Sequence, residues 1–326
     1  MQLPASLRDP LLALRWDEAL AAIGPSPGTP DERVAQAFAL RGLERETEAH
    51  AVLVDAIARD GGESQSAGLF REWLVADARF ADLDAVLPLG ATGIADMEGA
   101  LLEAVRRHRQ RDFRAALALC ERVLKSIPEH PAALVHRSRA LHNLGSRAEA
   151  LEGFELAVAV EPLYCEGWHY LGIAARANAR MDAAIRAFER ALMLRPAFRM
   201  ARADLAKTLL AIERVDEAFA VLTDCRSRFP DNADIASDLG FALHRLGRLD
   251  EARTALSEAI RLDARHAHAW LNLGVVASEM GDRVGVEEAL PVAARLLPHN
   301  AEVWAEMATF YETTNRLEDM RNAVER

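Results

Sequence analysis

An all-α solenoid of antiparallel helix hairpins is what the sequence predicts, on three observations. Alanine recurs every 34 residues as Ala116, Ala150, Ala184, Ala218 and Ala252. Proline recurs at the same spacing as Pro128, Pro162, Pro196 and Pro230, lapses at Ala264 and returns at Pro298. Inside each period two apolar stripes at helical spacing flank a break. The clearest case is Trp168, Leu171, Gly172 and Ala175, then Asn178 to Arg180, then Ala184, Ile185, Phe188, Ala191 and Leu192. A period of roughly 20–50 residues marks stacked supersecondary units, because one hairpin cannot bury its own stripe and must pack on the next.

Taken in chain order, the first 96 residues keep this phase poorly. Arg15 to Ile23 reads as the second helix of a decayed repeat, ended by the Gly24 to Pro30 breaker. Segments 31–42 and 46–59 read as a helix pair closed by Gly61 and Gly62, and 66–77 with 80–88 as another. Residues 1–96 are thus expected to be degenerate hairpins that cap the array. The array itself is 97–326, with six full repeats at 97–130, 131–164, 165–198, 199–232, 233–266 and 267–300, and a seventh at 301–326.

Each column has a physical role. Glycine or alanine at the helix crossing lets the two axes approach. The aromatic ring fills the space between successive hairpins, and proline ends the second helix by pushing the residue before it out of the α region. The sixth repeat departs from this pattern: Gly285 and Val286 replace the usual pair, and Pro291 falls inside the second helix, where a kink or delayed start is expected. In the seventh, Trp304, Met307, Ala308 and Tyr311 keep phase, and the chain stops at Arg326. Met320, Ala323 and Val324 are therefore expected to be exposed, as a face for a partner or for a homodimer through the C-terminal helix.

Composition narrows the function. The 326 residues carry 39 basic and 50 acidic side chains, a formal charge of −11, which argues against generic nucleic-acid or anionic-membrane binding. No apolar run approaches the ~18–20 residues of a membrane span, and the N-terminus lacks the pattern of a signal peptide, so a cytoplasmic protein is expected. Cys120, Cys165 and Cys225 form no CxxC pair and are too few for a disulfide framework. Phosphate-loop, nucleophile-elbow and zinc-helix motifs are all missing, as is any His-x-Asp or His-x-Glu start of an iron triad. His266 and His268 are the nearest thing to a metal pair, and their place at a repeat junction reads as ordinary exposure. No catalytic residue, cofactor or metal is expected.

The columns Trp168, Leu171, Gly172, Ala184, Phe188, Ala191 and Pro196, with their equivalents 34 residues back and 68 and 102 forward, resemble the signature of the tetratricopeptide repeat. The resemblance runs from about Met97 to the end of the chain. It implies a right-handed superhelix whose concave surface is lined by the first helix of each hairpin and binds extended peptides. Glu166, His169, Tyr170, Ile173, Arg176 and Ala177 lie about 200° from the buried stripe of their helix, hence on that face. Along the array it is basic and histidine-rich toward residues 100–180 and acidic at the other end, with Glu279, Glu302, Glu306 and Glu312. The expected peptide-binding residues are Arg139, His142, His169, Tyr170, Arg176, Lys207, Phe241 and Arg245, and the acidic end of the ligand lies toward residues 100–180.

The carboxylate clamp of cochaperones in this family is not expected. Its places are taken by Leu101 and Val105, then His136, then Glu166 and Tyr170. The reading that follows is a noncatalytic interaction scaffold with a protein or peptide partner. Two alternatives stand beside it. One is the substrate-recruiting part of a larger sulfotransferase, glycosyltransferase or iron-dependent oxygenase; the other is a self-assembling structural protein.

Overall fold

The computed structural model describes residues 10–11, 13–25, 27–60, 94–314, 316 and 323. Among them all regular structure is helical, in sixteen helices. The N-terminal part holds α1 (Trp16–Ile23) and the hairpin α2 (Pro30–Gly42) with α3 (Glu46–Asp60). The repeats follow as pairs: α4 (Ile94–Arg109) with α5 (Phe113–Ser126), α6 (Pro131–Asn143) with α7 (Arg147–Val160), and α8 (Cys165–Ala177) with α9 (Met181–Leu194). Next come α10 (Arg199–Ala211) with α11 (Val215–Arg228), α12 (Ala233–Arg245) with α13 (Leu249–Leu262), and α14 (Ala267–Glu279) with α15 (Arg283–Leu296). The last described helix is α16 (Ala301–Thr313). The expected hairpin over 66–88 and the Gly61–Gly62 closure lie outside the described residues.

The corner between the helices of a pair is built the same way in all six repeats. The residue at that corner is left-handed: Arg111 (φ 63°), Gly145 (92°), Ala179 (58°), Glu213 (62°), Gly247 (70°) and Gly281 (71°). Only three of the six are glycine, so three corners hold a Cβ in a region that costs an L-residue about 1–2 kcal/mol. Glu44 (φ 62°) makes the same left-handed corner between α2 and α3.

Helix crossings show why small residues recur. A Cβ on Gly172 would sit 2.5 Å from the Phe188 ring, one on Gly240 2.6 Å from Leu256, and one on Gly274 2.3 Å from Leu290. The second repeat reverses the arrangement: Ser138 fills the crossing, and Gly153 opposite leaves room, since a Cβ there would lie 2.1 Å from the serine oxygen. The tryptophans tie successive hairpins together. The indole Nε1 of Trp168 donates to the Pro162 carbonyl, that of Trp270 to Ala264 and that of Trp304 to Pro298, each at 3.0 Å. The acceptor is a backbone carbonyl, so the lapse of proline at Ala264 leaves this tie intact.

Several helix starts are capped by side chains that accept backbone N–H groups. Thr29 and Glu32 form a reciprocal capping box on α2. Asp112, Asn232, Asp282 and Asn300 cap α5, α12, α15 and α16. Helix α15 runs unbroken through Pro291, which removes the N–H that would bond the Glu287 carbonyl one turn earlier.

The chain divides into two compact units, one ending at Ala201 and one running from Arg202. In the second unit, Leu256, Ala259, Ala269 and Val276 belong to one apolar cluster, and Leu290, Val303, Met307 and Phe310 to another. Ala323, expected at the surface, is only 3% exposed and belongs to this last cluster, so its methyl is covered by its own hairpin stack. Met320 and Val324 lie outside the described residues.

In the first unit the α2–α3 hairpin meets the third repeat. Arg41 Nη1 lies 3.2 Å from Glu166 Oε1, and Arg195 Nε and Nη2 bond Glu46 at 2.7 and 3.0 Å. Val34, Phe38, Leu53 and Ile57 share one apolar cluster with Leu102, Cys165, Leu194 and Phe198. The sequence sets this hairpin ahead of the array as a cap; the contacts it makes are with repeat three and with Leu102 of repeat one.

Candidate functional site

The first helices of unit one bring a basic, aromatic group of side chains together. Arg139 is half-buried, its guanidinium 4.5 Å over the Tyr170 ring and its Nη1 3.1 Å from His136 Nδ1. Tyr170 stacks in turn on Phe154, with centroids 6.1 Å apart and planes at 15°. Asn143 Nδ2 lies 3.0 Å from His108 Nε2, joining the first two repeats, and also donates to the Arg139 carbonyl at 2.8 Å. Burial, followed by the charges of Arg139 and His136, pushes the His108 pKa down to about 4. Among the described residues no carboxylate pairs with Arg139. His142 is half-buried beside this group, and burial, then the Arg147 charge, lowers its pKa. Arg176 is half-buried one turn beyond Ile173 on the next helix.

His169 is a correction to the expected site. It is 3% exposed and packs its ring against Phe198 at 5.0 Å, Tyr170 at 5.3 Å and Phe188 at 5.9 Å. Three aromatic neighbours enclose it, so it holds Tyr170 in place rather than lining an open surface. Glu166 and His136, placed on the same face by periodicity, are buried as well. What separates His169 and Glu166 from Arg139 is the company of Phe198 for the first and of Arg41 in the N-terminal hairpin for the second, which helix phase alone does not report.

In unit two, Lys207 is exposed, with Nζ 3.6 Å from Asp238 Oδ2. Arg245 forms an ion pair with Glu213, and Phe241 is half-buried one turn before it. His244 Nε2 meets Glu279 Oε1 at 2.9 Å. Glu306 stands near Glu302 and Glu279; burial first, then these two carboxylates, raises its pKa. His266, half of the histidine pair in the sequence, is a helix cap: Nδ1 accepts from the Ala269 N–H at 3.1 Å and Nε2 meets Asp234 at 3.2 Å.

Among the described residues no group of three or more His, Cys, Asp or Glu side chains is placed to hold a metal, and no helix is long and apolar enough to cross a membrane. The Cys165 thiol is buried, and burial first, then the neighbouring Glu166, pushes its pKa well up, which leaves it a poor nucleophile.

Comparison with known proteins agrees with the repeat phase. Models of the tetratricopeptide repeat match residues 101–162 and 171–233, and a further one residues 213–273. No curated protein matches the sequence. Solved structures are similar in fold. The Cut9–Hcn1 hetero-tetramer of the APC/C is 15% identical, with 98% of this chain and 68% of that chain covered and a TM-score of 0.65. PilW, a type IV pilus biogenesis factor, is 20% identical over 66% of this chain and 99% of its own, with a TM-score of 0.59. PilF of Pseudomonas aeruginosa is 14% identical over 66% and 97%, also at 0.59. With the left-handed corners, the small-residue crossings and the tryptophan ties all in one phase, and with models of the repeat matched across 101–162 and 171–273, the chain belongs to the tetratricopeptide repeat family.

Proposed function

We propose that this chain is a noncatalytic interaction scaffold that holds a peptide or partner segment on the inner face of its first helices. The observation that carries the proposal is Arg139. A half-buried guanidinium, oriented by Tyr170 and His136 and without a carboxylate among the described residues, has lost part of its hydration and gains most from an anionic group brought by a ligand. An acidic stretch of the partner meets Arg139, His142 and Arg176 in unit one, and Tyr170 supplies the aromatic anchor. Unit two, taken by itself, offers Lys207, Phe241 and Arg245 on its own first helices as a second contact. Aromatic and arginine side chains of this kind dominate the energetics of most interfaces. Neither cofactor nor metal is part of this reading.

The test is a quantitative pull-down from native lysate comparing wild type with Arg139→Glu/Arg176→Glu, after circular dichroism has shown the double variant folded. A partner lost with the variant supports binding at the basic face. A partner retained equally contradicts it.

A further inference from the structure

The α2–α3 hairpin lies against the end of α9 and the turn after it, and reaches the start of α8, where periodicity places Glu166 on the inner face. Its charges are matched in opposite order: Arg41 meets Glu166, and Glu46 meets Arg195, with Arg41 Nε also 4.0 Å from Glu46. Arg41 and Glu166 are almost wholly buried, at 2% and 4% of their side-chain surface. The equivalents of Glu166 two, three and four periods on, Asp234, His268 and Glu302, are exposed. Leu102, the equivalent of Tyr170 two periods back, is buried in the same apolar cluster as Phe38 and Leu53 of the hairpin. The start of α8 and Leu102 of α4 are thus covered in unit one, while Arg139 and Arg176 remain half-open.

We propose that the α2–α3 hairpin is a built-in occupant of this face, and that a partner helix bearing an arginine for Glu166 and a carboxylate for Arg195 binds by displacing it. The proposal rests on the scaffold reading only for the entry of a partner; release of the hairpin is a property of this chain alone. A buried ion pair contributes little net stability compared with apolar residues of the same size, yet it fixes which surfaces meet. Two such pairs therefore specify where the hairpin docks without adding much to its hold. When it leaves, water recovers all four charges, which favours opening of this contact short of global unfolding.

Cys165 reports the event. It belongs to the cluster beneath the hairpin, whereas Cys120 and Cys225 are buried elsewhere, in α5 and α11. Alkylation of the full-length protein in native buffer, followed by mass spectrometry, gives the three labelling rates separately. In wild type, Cys165 is expected to label at least about tenfold faster than the other two. Arg41→Glu, which sets two carboxylates face to face, should raise the Cys165 rate about tenfold again and leave Cys120 and Cys225 unchanged.

Where that variant does not fold, Glu46→Gln gives the same reading, because it leaves Arg195 without its acid. Equal labelling of all three cysteines in wild type overturns the proposal, since the hairpin would then leave only with the whole fold. An unchanged Cys165 rate in the folded variant overturns it too. None of these measurements involves the partner of the pull-down, so the two readings fail separately.

Discussion

Arg41 and Glu166 meet at 3.2 Å, both side chains nearly removed from water, although the first belongs to the irregular N-terminal part and the second to the third repeat. Arg195 and Glu46 repeat the contact with the signs exchanged. Burial opposes ionisation of Glu46, but the bond to Arg195 and the charges of Arg195, Arg41 and His50 outweigh it and hold its pKa below the ordinary carboxylate value. Its folded pKa lies below its unfolded one, so its contribution is present above the usual carboxylate range and is lost as pH falls through the folded pKa. The backbone amides around Cys165 should therefore lose protection from hydrogen–deuterium exchange as pH falls below the ordinary carboxylate range, and the loss should be absent in Glu46→Gln.

The helix crossings make a sharper prediction. Gly172→Ala puts a methyl 2.5 Å from the Phe188 ring, and Gly274→Ala puts one 2.3 Å from Leu290. Each ring or branch must shift within a packed crossing, so each substitution should destabilise by about 1–3 kcal/mol in urea unfolding. Gly99, with nothing within 4 Å of its added Cβ, is the control and should show no such loss.

The left-handed corners predict a gain. Ala179→Gly and Glu213→Gly relieve a Cβ held at φ 58° and 62°, and each should stabilise by about 1 kcal/mol. Gly145→Ala, at φ 92° on the equivalent corner, should destabilise by a similar amount. The shift in urea midpoint at constant slope is the measurement.

Pro291 is exposed within α15, with the helix continuing on both sides. Pro291→Ala restores the missing N–H and should stabilise by up to about 3 kcal/mol, read as a rise in the thermal midpoint. A destabilised variant would mean that the ring makes a packing contribution larger than the lost hydrogen bond.

Much of this fold is legible in the sequence because its determinants repeat. The 34-residue phase carries the helix boundaries of all repeats, and it foretells the small residues at Gly172, Gly240 and Gly274. Compensation within a pair is harder to see: Ser138 at a crossing looks like a defect until Gly153 is found opposite it. The corners at Arg111, Ala179 and Glu213 do not announce themselves either, since left-handed backbone is read from glycine and these carry side chains. The docking of α2–α3 is illegible for a different reason. It depends on four charges and an apolar patch distant in sequence and outside the repeat phase, so no period points to Arg41 as the partner of Glu166. His169 follows from that: helix phase puts it on the inner face, and the packing of Phe198 and its neighbours removes it from solvent.

The basic group of unit one has its own electrostatic signature. The His108 pKa, about 4, is lowered by burial and then by Arg139 and His136. Arg139→Ala should raise it toward the ordinary histidine value, as followed by NMR titration of the imidazole. An anionic ligand at Arg139 should do the same, so its binding takes up protons and tightens as pH falls from about 6.5 toward 4. An unchanged His108 titration in Arg139→Ala would contradict the proximity on which this depends.

The most direct test of the account is site-specific photocrosslinking in native lysate. A benzophenone side chain is placed at His142 or Arg176, on the first helices of unit one, and in a separate protein at Glu189, exposed on the second helix of repeat three. The account predicts that one and the same partner is trapped from His142 and Arg176 and is not trapped from Glu189. A partner trapped from Glu189 and from neither of the other two would contradict it, and would move binding to the second helices.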